Sequence, residues 1–225
     1  MRHTDPTGKS IDGEYEKDKE GNWQKVSNKG DDIGVDFYHH DAVGGAPQIT
    51  EVRDQEGNSG YLRNGRRLLQ GQTRSNDVDM MDVFEEWKSG TGPEYSFFGS
   101  DHPSIKEINS HYLFKAAFNN YKNTGNSDDE MKFGLMDLLA TSTDDWMQMV
   151  GSFDYQFVQL GDKTLSVVSD AKTRNSFYYK GFGLFNVTNY KRSTGNASGG
   201  LQKTNTYQTY LFFRTPTSIY DKNLR

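Results

Sequence analysis

The chain has 225 residues, a net charge of −5, 33% hydrophobic and 13% aromatic residues and no cysteine, with a mean hydropathy of −0.88. That is enough length and aromatic area to close a core, so an ordered globular fold is expected and a disordered tail is excluded. A disulfide framework and a thiolate zinc site are excluded as well; no run approaches the roughly 20 apolar residues of a membrane helix, and no apolar secretory leader is expected.

Residues 1–74 read as short strands and turns. Asp18-Lys19-Glu20-Gly21-Asn22 and Asp54-Gln55-Glu56-Gly57-Asn58 each place Gly-Asn where a hairpin needs positive φ. Asn64-Gly65, between Tyr61-Leu62-Arg63 and Arg66-Arg67-Leu68-Leu69, gives the strongest hairpin signal. The period then changes. Ser75 or Asn76 caps a helix over 77–88, in which Met80, Val83, Phe84 and Trp87 form one apolar stripe and Gly90 stops the run. A loop spans 90–103. Ser104 and Glu107 fit a capping box for a helix reaching about Tyr121, and a further helix is predicted over 128–140, where acidic residues precede Met131, Leu135, Leu138 and Leu139.

The last third returns to strands. Phe153, Tyr155 and Phe157 alternate with Asp154 and Gln156, Gly161-Asp162 turns the chain, and Leu165 and Val167 continue on the partner strand. A second turn near 171–174 leads to Phe177-Tyr178-Tyr179, a short strand is expected over 187–190 and a polar loop over 191–205, and residues 207–213 close the sheet. Helices segregated from runs of strands predict an α+β fold: N-terminal β-hairpins, two to three central helices and a mostly antiparallel C-terminal sheet. The expected division is a β-rich connector over 1–74 and a helical plus sheet domain over 75–225.

Charge is unevenly spread, +6 over residues 150–225 and −11 over residues 1–149. A basic, aromatic C-terminal third suits a phosphate-bearing partner such as RNA, or places its lysines on solvated strand positions. Phosphate-loop, HExxH, GxSxG and GxGxxG signatures are all missing, so nucleotide-cofactor enzymes, zincins and α/β-hydrolases are set aside. No cofactor or metal is expected.

Three clusters are candidates. The loop over 90–103 delivers Asp101 and His102 to a helix N-terminus, where backbone donors favour anions and a histidine can transfer protons; the competing reading makes Asp101 a cap and the loop aromatics core plugs. The turn Asp170-Ala171-Lys172-Thr173-Arg174-Asn175 offers Asp170, Lys172 and Arg174 for metal-independent ribonuclease chemistry, with His102 or His111 as base and Tyr178, Tyr179 or Tyr210 stacking a base. His39 and His40, with Asp36 and Asp41, are expected on a surface turn, and His111 as a satisfied core or boundary residue.

Asp5-Pro6-Thr7-Gly8-Lys9, with Ile11-Asp12-Gly13 behind it, resembles the closing turn of the RHS repeat-associated core. Residues 30–38, 90–93, 149–153 and 160–165 look like segments in C-terminal extensions of Bacteroidetes-type RHS proteins. The resemblance implies a variable C-terminal domain that follows a repeat shell in the same polypeptide: an effector of the polymorphic-toxin kind used in interbacterial competition, delivered into a target cell and opposed by an immunity protein. It implies no catalytic residues. The alternative it allows is a non-enzymatic docking or shell-plugging module.

Overall fold

Period-two alternation of apolar and polar residues sets the first sheet. In the computed structural model, which describes residues 13–30, 33–41, 49–89, 92–133, 145–172 and 206–214, five strands, β1 (Gly13–Lys17), β2 (Trp23–Ser27), β3 (Val35–His40), β4 (Ile49–Asp54) and β5 (Ser59–Arg63), pair in the order β2-β1-β3-β4-β5. Only β1 and β3 run parallel. Asp18 Oδ1 accepts from the backbone of Asn22 at 2.8 Å and Asp54 Oδ1 from that of Asn58 at 2.7 Å, so both Asp-x-x-Gly-Asn segments close hairpins through Asx contacts. Val35, Phe37, Val52 and Leu62 point inward and are buried.

Asn64-Gly65 does not close a hairpin. Asn64 adopts the left-handed conformation (φ 55°) that asparagine tolerates, and it opens helix α1 (Gly65–Leu69). Burial of Leu68 and Leu69 in the inter-sheet core favours a helical turn here over a returning strand.

The second sheet contains β6 (Gln72–Thr73), β7 (Tyr95–Phe98), β8 (Asp128–Met131), β9 (Phe153–Leu160), β10 (Lys163–Lys172) and β11 (Thr206–Phe213), in the order β6-β7-β11-β10-β9-β8. Pairings β6·β7 and β7·β11 are parallel and the other three antiparallel. Its alternation divides the interior in two. Val158, Leu160, Leu165, Val167 and Leu211 face the first sheet, whereas Phe153, Tyr155, Phe157, Val168, Tyr210 and Phe212 face the helices. Gly60 lets the sheets approach closely, because a Cβ there would overlap Val158 Cγ1. The inter-sheet core draws on Val35 to Leu69 as well as Phe97 to Leu211, so it crosses the boundary expected at residue 74.

Helices α2 (Met80–Ser89), α3 (Pro103–Ser110), α4 (Tyr112–Thr124) and α5 (Asp145–Val150) complete an α+β fold. Asp79 and Asp82, not Ser75 or Asn76, cap α2, each carboxylate accepting from the other's backbone N–H at 2.8 and 3.0 Å. The helix expected over 104–121 is two helices broken at His111, whose extended backbone (ψ 140°) ends one and caps the next. Glu107 does not close a box with Ser104; its Oε2 accepts from Trp146 N at 3.1 Å and holds α5 in place. Residues 128–131 form an edge strand instead of a helix, with Asp128 paired to Arg63 at 2.7 Å. Charge along that strand suits an unpaired sheet edge. Among the described residues, no helix is long and apolar enough to cross a membrane. The segment at 5–9, the part of the expected helix at 134–140 and the elements expected at 177–179, 187–190 and 191–205 lie outside the described residues.

Candidate functional site

His102 is a structural cap. Its ring is 2% exposed and packs edge-on against Phe98 and Trp146, with centroids 4.7 and 5.1 Å away. Nδ1 accepts from the backbone of Ser104 at 3.2 Å and meets Ser104 Oγ at 2.7 Å, while Nε2 lies 3.1 Å from the Val78 carbonyl oxygen. Only the neutral Nε2–H tautomer satisfies both ends. Burial, opposed by the Val78 bond and reinforced by the Arg74 charge, lowers its pKa. His111 caps α4 in the same way, with Nδ1 accepting from Leu113 N at 3.3 Å. Asp101 is exposed beside the cap and does not itself cap α3.

Asp170 and Lys172 belong to β10, opposite Gln208 and Thr206, and not to a turn. The antiparallel pairing with β11 continues through Ala171↔Tyr207 and Lys172↔Thr206. Asp170 is 8% exposed on the helix-facing side of the sheet, the side that also carries Tyr210. Tyr210 is fully buried, stacks on Phe98 at 4.7 Å and donates to Gln208 Oε1 at 2.7 Å. Burial first, then the Asp170 charge, pushes its phenol pKa well above the ordinary value. It is a core residue and presents no face to a base. Arg174, Tyr178 and Tyr179 lie outside the described residues.

The loop over 90–103 contributes to a cleft by a different route. Gln72, Thr73, Arg74, Ser75, Val78, Glu86, Gly92 and Pro93 line a hollow of about 460 Å³ beside edge strand β6. Arg74 forms its floor. The side chain is only 6% exposed, and Nη2 donates to Glu86 Oε1 at 2.7 Å, while the Glu86 side chain is 31% exposed. That bond uses one of the five N–H donors of a guanidinium. A Cβ at Gly92 would overlap the Glu86 carboxylate, so glycine is what admits this side chain. His102 supports the wall from behind through the Val78 carbonyl.

The first sheet carries two further clusters. On its inner face His39, 1% exposed, is held between Glu14 Oε1 (2.6 Å from Nε2) and Thr50 Oγ1 (2.7 Å from Nδ1), so it sits in a strand and not on a surface turn. Thr50 is fully buried beneath Gly65, which closes off any nucleophilic role. On the outer face Tyr15 and Tyr38 stack at 5.0 Å, Trp23 lies edge-on to Tyr38 and His40 at 5.0 and 5.3 Å, and Arg53 covers Tyr38 at 4.6 Å. Tyr61 continues the row and is 63% exposed. The Tyr38 phenol pKa is pushed up to about 12, by burial first and then by Asp36.

Alternation along 35–40 marks Val35 and Phe37 as the inner face, which leaves Tyr38 and His40 to the outer one. Nothing local marked Arg74 and Glu86, which tertiary packing joins across 12 positions. Among the described residues, no group of three or more metal-ligating side chains converges. Searches against protein-family models, curated proteins and solved structures give no match to this chain.

Proposed function

We propose that the chain is the C-terminal effector domain of an RHS-type protein and that it cleaves RNA at the Arg74–Glu86 cleft. The observation that carries the chemistry is a nearly buried guanidinium bonded to a partly exposed carboxylate in a polar hollow. The RHS assignment is supported by the resemblance at residues 5–9 and the four later segments. In this reading a repeat shell of the same polypeptide carries the domain to a target cell, and an immunity protein protects the producer.

The pair supplies the two groups that metal-independent cleavage needs. Glu86 takes the proton of a ribose 2′-hydroxyl, the 2′-oxygen attacks the adjacent phosphorus, and the bond to the 5′-oxygen breaks. That oxygen leaves with a proton from water, and Glu86 returns its own to solvent. Arg74 donates to the non-bridging oxygens, where charge grows in the transition state. Here Glu86 replaces His102 as the base.

Expression in a bacterial cytosol tests the reading. Growth arrest by the wild-type chain, relieved by Glu86→Gln at equal soluble yield, is expected; normal growth at confirmed soluble expression contradicts it.

A further inference from the structure

The cleft leaves the outer face of the first sheet without a role, although that face carries Tyr15, Trp23 and Tyr38, each partly exposed, and Tyr61, which is 63% exposed. Its strand register aligns Lys25, Tyr15, Tyr38, Glu51 and Tyr61 in one row across five strands. Trp23, Lys17 and His40 lie beside that row, with Lys17 Nζ 5.1 Å over the Trp23 ring. Neighbouring strands lie about 4.8 Å apart, so Trp23, Tyr15, Tyr38 and His40 form one aromatic patch, and Tyr61 stands beyond Glu51 in the same row.

Charge on this face opposes that of the whole chain. With Arg53 paired to Glu51 and Arg63 to Asp128, Lys17 and Lys25 stand against Asp36, so the face is positive by one charge in a chain of net charge −5. Both carboxylates are engaged within the face: Glu51 accepts from Arg53 at 2.7 and 2.9 Å and meets His40 at 3.1 Å, and Asp36 accepts from Gly13 N and the Tyr38 hydroxyl at 3.1 and 3.3 Å. Arg63 reaches Asp128 at the rim. Aromatic rings interleaved with cations on an open sheet match single-stranded nucleic acid, whose bases offer π faces and whose backbone offers regular negative charge. A duplex hides its base faces and fits this surface poorly.

We propose that the outer face of the first sheet binds single-stranded RNA, stacking bases on Trp23 and Tyr61 and neutralising a phosphate with Lys17. The inference rests on the reading that the chain acts on RNA. It assigns substrate holding to a surface separate from the Arg74–Glu86 cleft, so long strands are retained while single phosphodiesters are cut without its help.

The test measures binding and cleavage separately. In a Glu86→Gln background, fluorescence anisotropy with a labelled oligouridylate reads binding; in the Glu86 protein, cleavage of a dinucleoside monophosphate reads chemistry. Tyr61→Ala alters an exposed ring and preserves the fold, and Trp23→Ala and Lys17→Glu extend the series. Each lost ring should weaken oligouridylate binding by about 5-fold or more, Lys17→Glu should flatten its salt dependence, and dinucleotide cleavage should be unchanged. Unaltered oligouridylate binding in all three variants overturns the proposal while leaving the cleft chemistry standing. The same result with Trp23 and Tyr61 shielded in the full RHS protein assigns the face to protein docking, which also overturns it. Absence of both RNA binding and cleavage in the wild-type chain removes the RNA reading and this inference together.

Discussion

His102 Nε2 donates to the Val78 carbonyl oxygen at 3.1 Å, which ties the start of α3 to the wall of the Arg74 cleft. One side chain therefore serves as helix cap, core packing and brace for a loop 24 residues away. His102→Ala removes the cap, at about 1 kcal/mol, opens a hole between Phe98 and Trp146 and leaves the Val78 oxygen unsatisfied. A total loss of roughly 2–4 kcal/mol is expected in urea unfolding. Asn at this position keeps a cap and should lose less.

The same residue sets a pH dependence. Its folded pKa lies below the ordinary histidine value of 6.5, so the unfolded chain binds the proton more readily. Stability from this group is fully present above pH 6.5 and is lost as pH falls through the folded value, with a slope of at most about 1.4 kcal/mol per pH unit. Unfolding curves at stepped pH should show the decline in the wild-type chain and a flatter profile in His102→Asn.

Glu14 governs a second, more acidic window. Burial acts to raise its pKa, but bonds from His39 and Ser27 and the Lys29 charge outweigh that, and the net shift is below the ordinary 4.5. Its contribution is present above that value and lost as pH falls through the lowered one. Glu14→Gln should cost roughly 1.5–3 kcal/mol at neutral pH and remove this part of the acid sensitivity, read by the same stepped-pH unfolding.

Gly60 tests the sheet-to-sheet contact. A larger side chain meets Val158 Cγ1 directly, so Gly60→Val should destabilise by about 1–3 kcal/mol through overpacking. Ser59→Ala, at an exposed neighbour, should stay within about 0.5 kcal/mol of wild type. Equal melting temperatures for the two variants would contradict the packing described here.

Gly92 tests the cleft geometry. Its added Cβ in Gly92→Ala would meet the Glu86 carboxylate and also Glu86 Cβ, which no rotamer change moves, so the loop must shift and a loss of about 1–3 kcal/mol is expected. RNA cleavage should fall at least about 10-fold, because the carboxylate leaves its position beside Arg74. Paired thermal melts and cleavage rates check both halves.

Much of the fold was legible in the sequence because local chemistry and tertiary packing agreed. Asp18 and Asp54 fold their own turns, Gly161-Asp162 joins β9 to β10, and Phe153, Tyr155 and Phe157 alternate as they pack. Disagreement arose where long-range partners overrode a local signal. Asn64-Gly65 became a helix entry once Leu68 and Leu69 had a core to fill, and acidic residues 128–130 with Met131 became a strand because β9 and Arg63 were there to pair with them. The candidate site was less legible. His102 and Tyr210 carry reactive groups, but burial assigns them to capping and packing. Arg74 and Glu86 stand in no motif and meet only through tertiary packing that brings α2 to the segment after β6.

Cleavage of single-stranded RNA by the purified chain, with Glu86→Gln and Arg74→Gln in parallel, tests the cleft most directly. The wild-type chain should leave 2′,3′-cyclic phosphate ends in the presence of chelator, and each variant should lose about 100-fold or more in rate while remaining folded. A folded wild-type chain that leaves RNA intact, or a Glu86→Gln variant that cuts at the wild-type rate, would contradict the assignment.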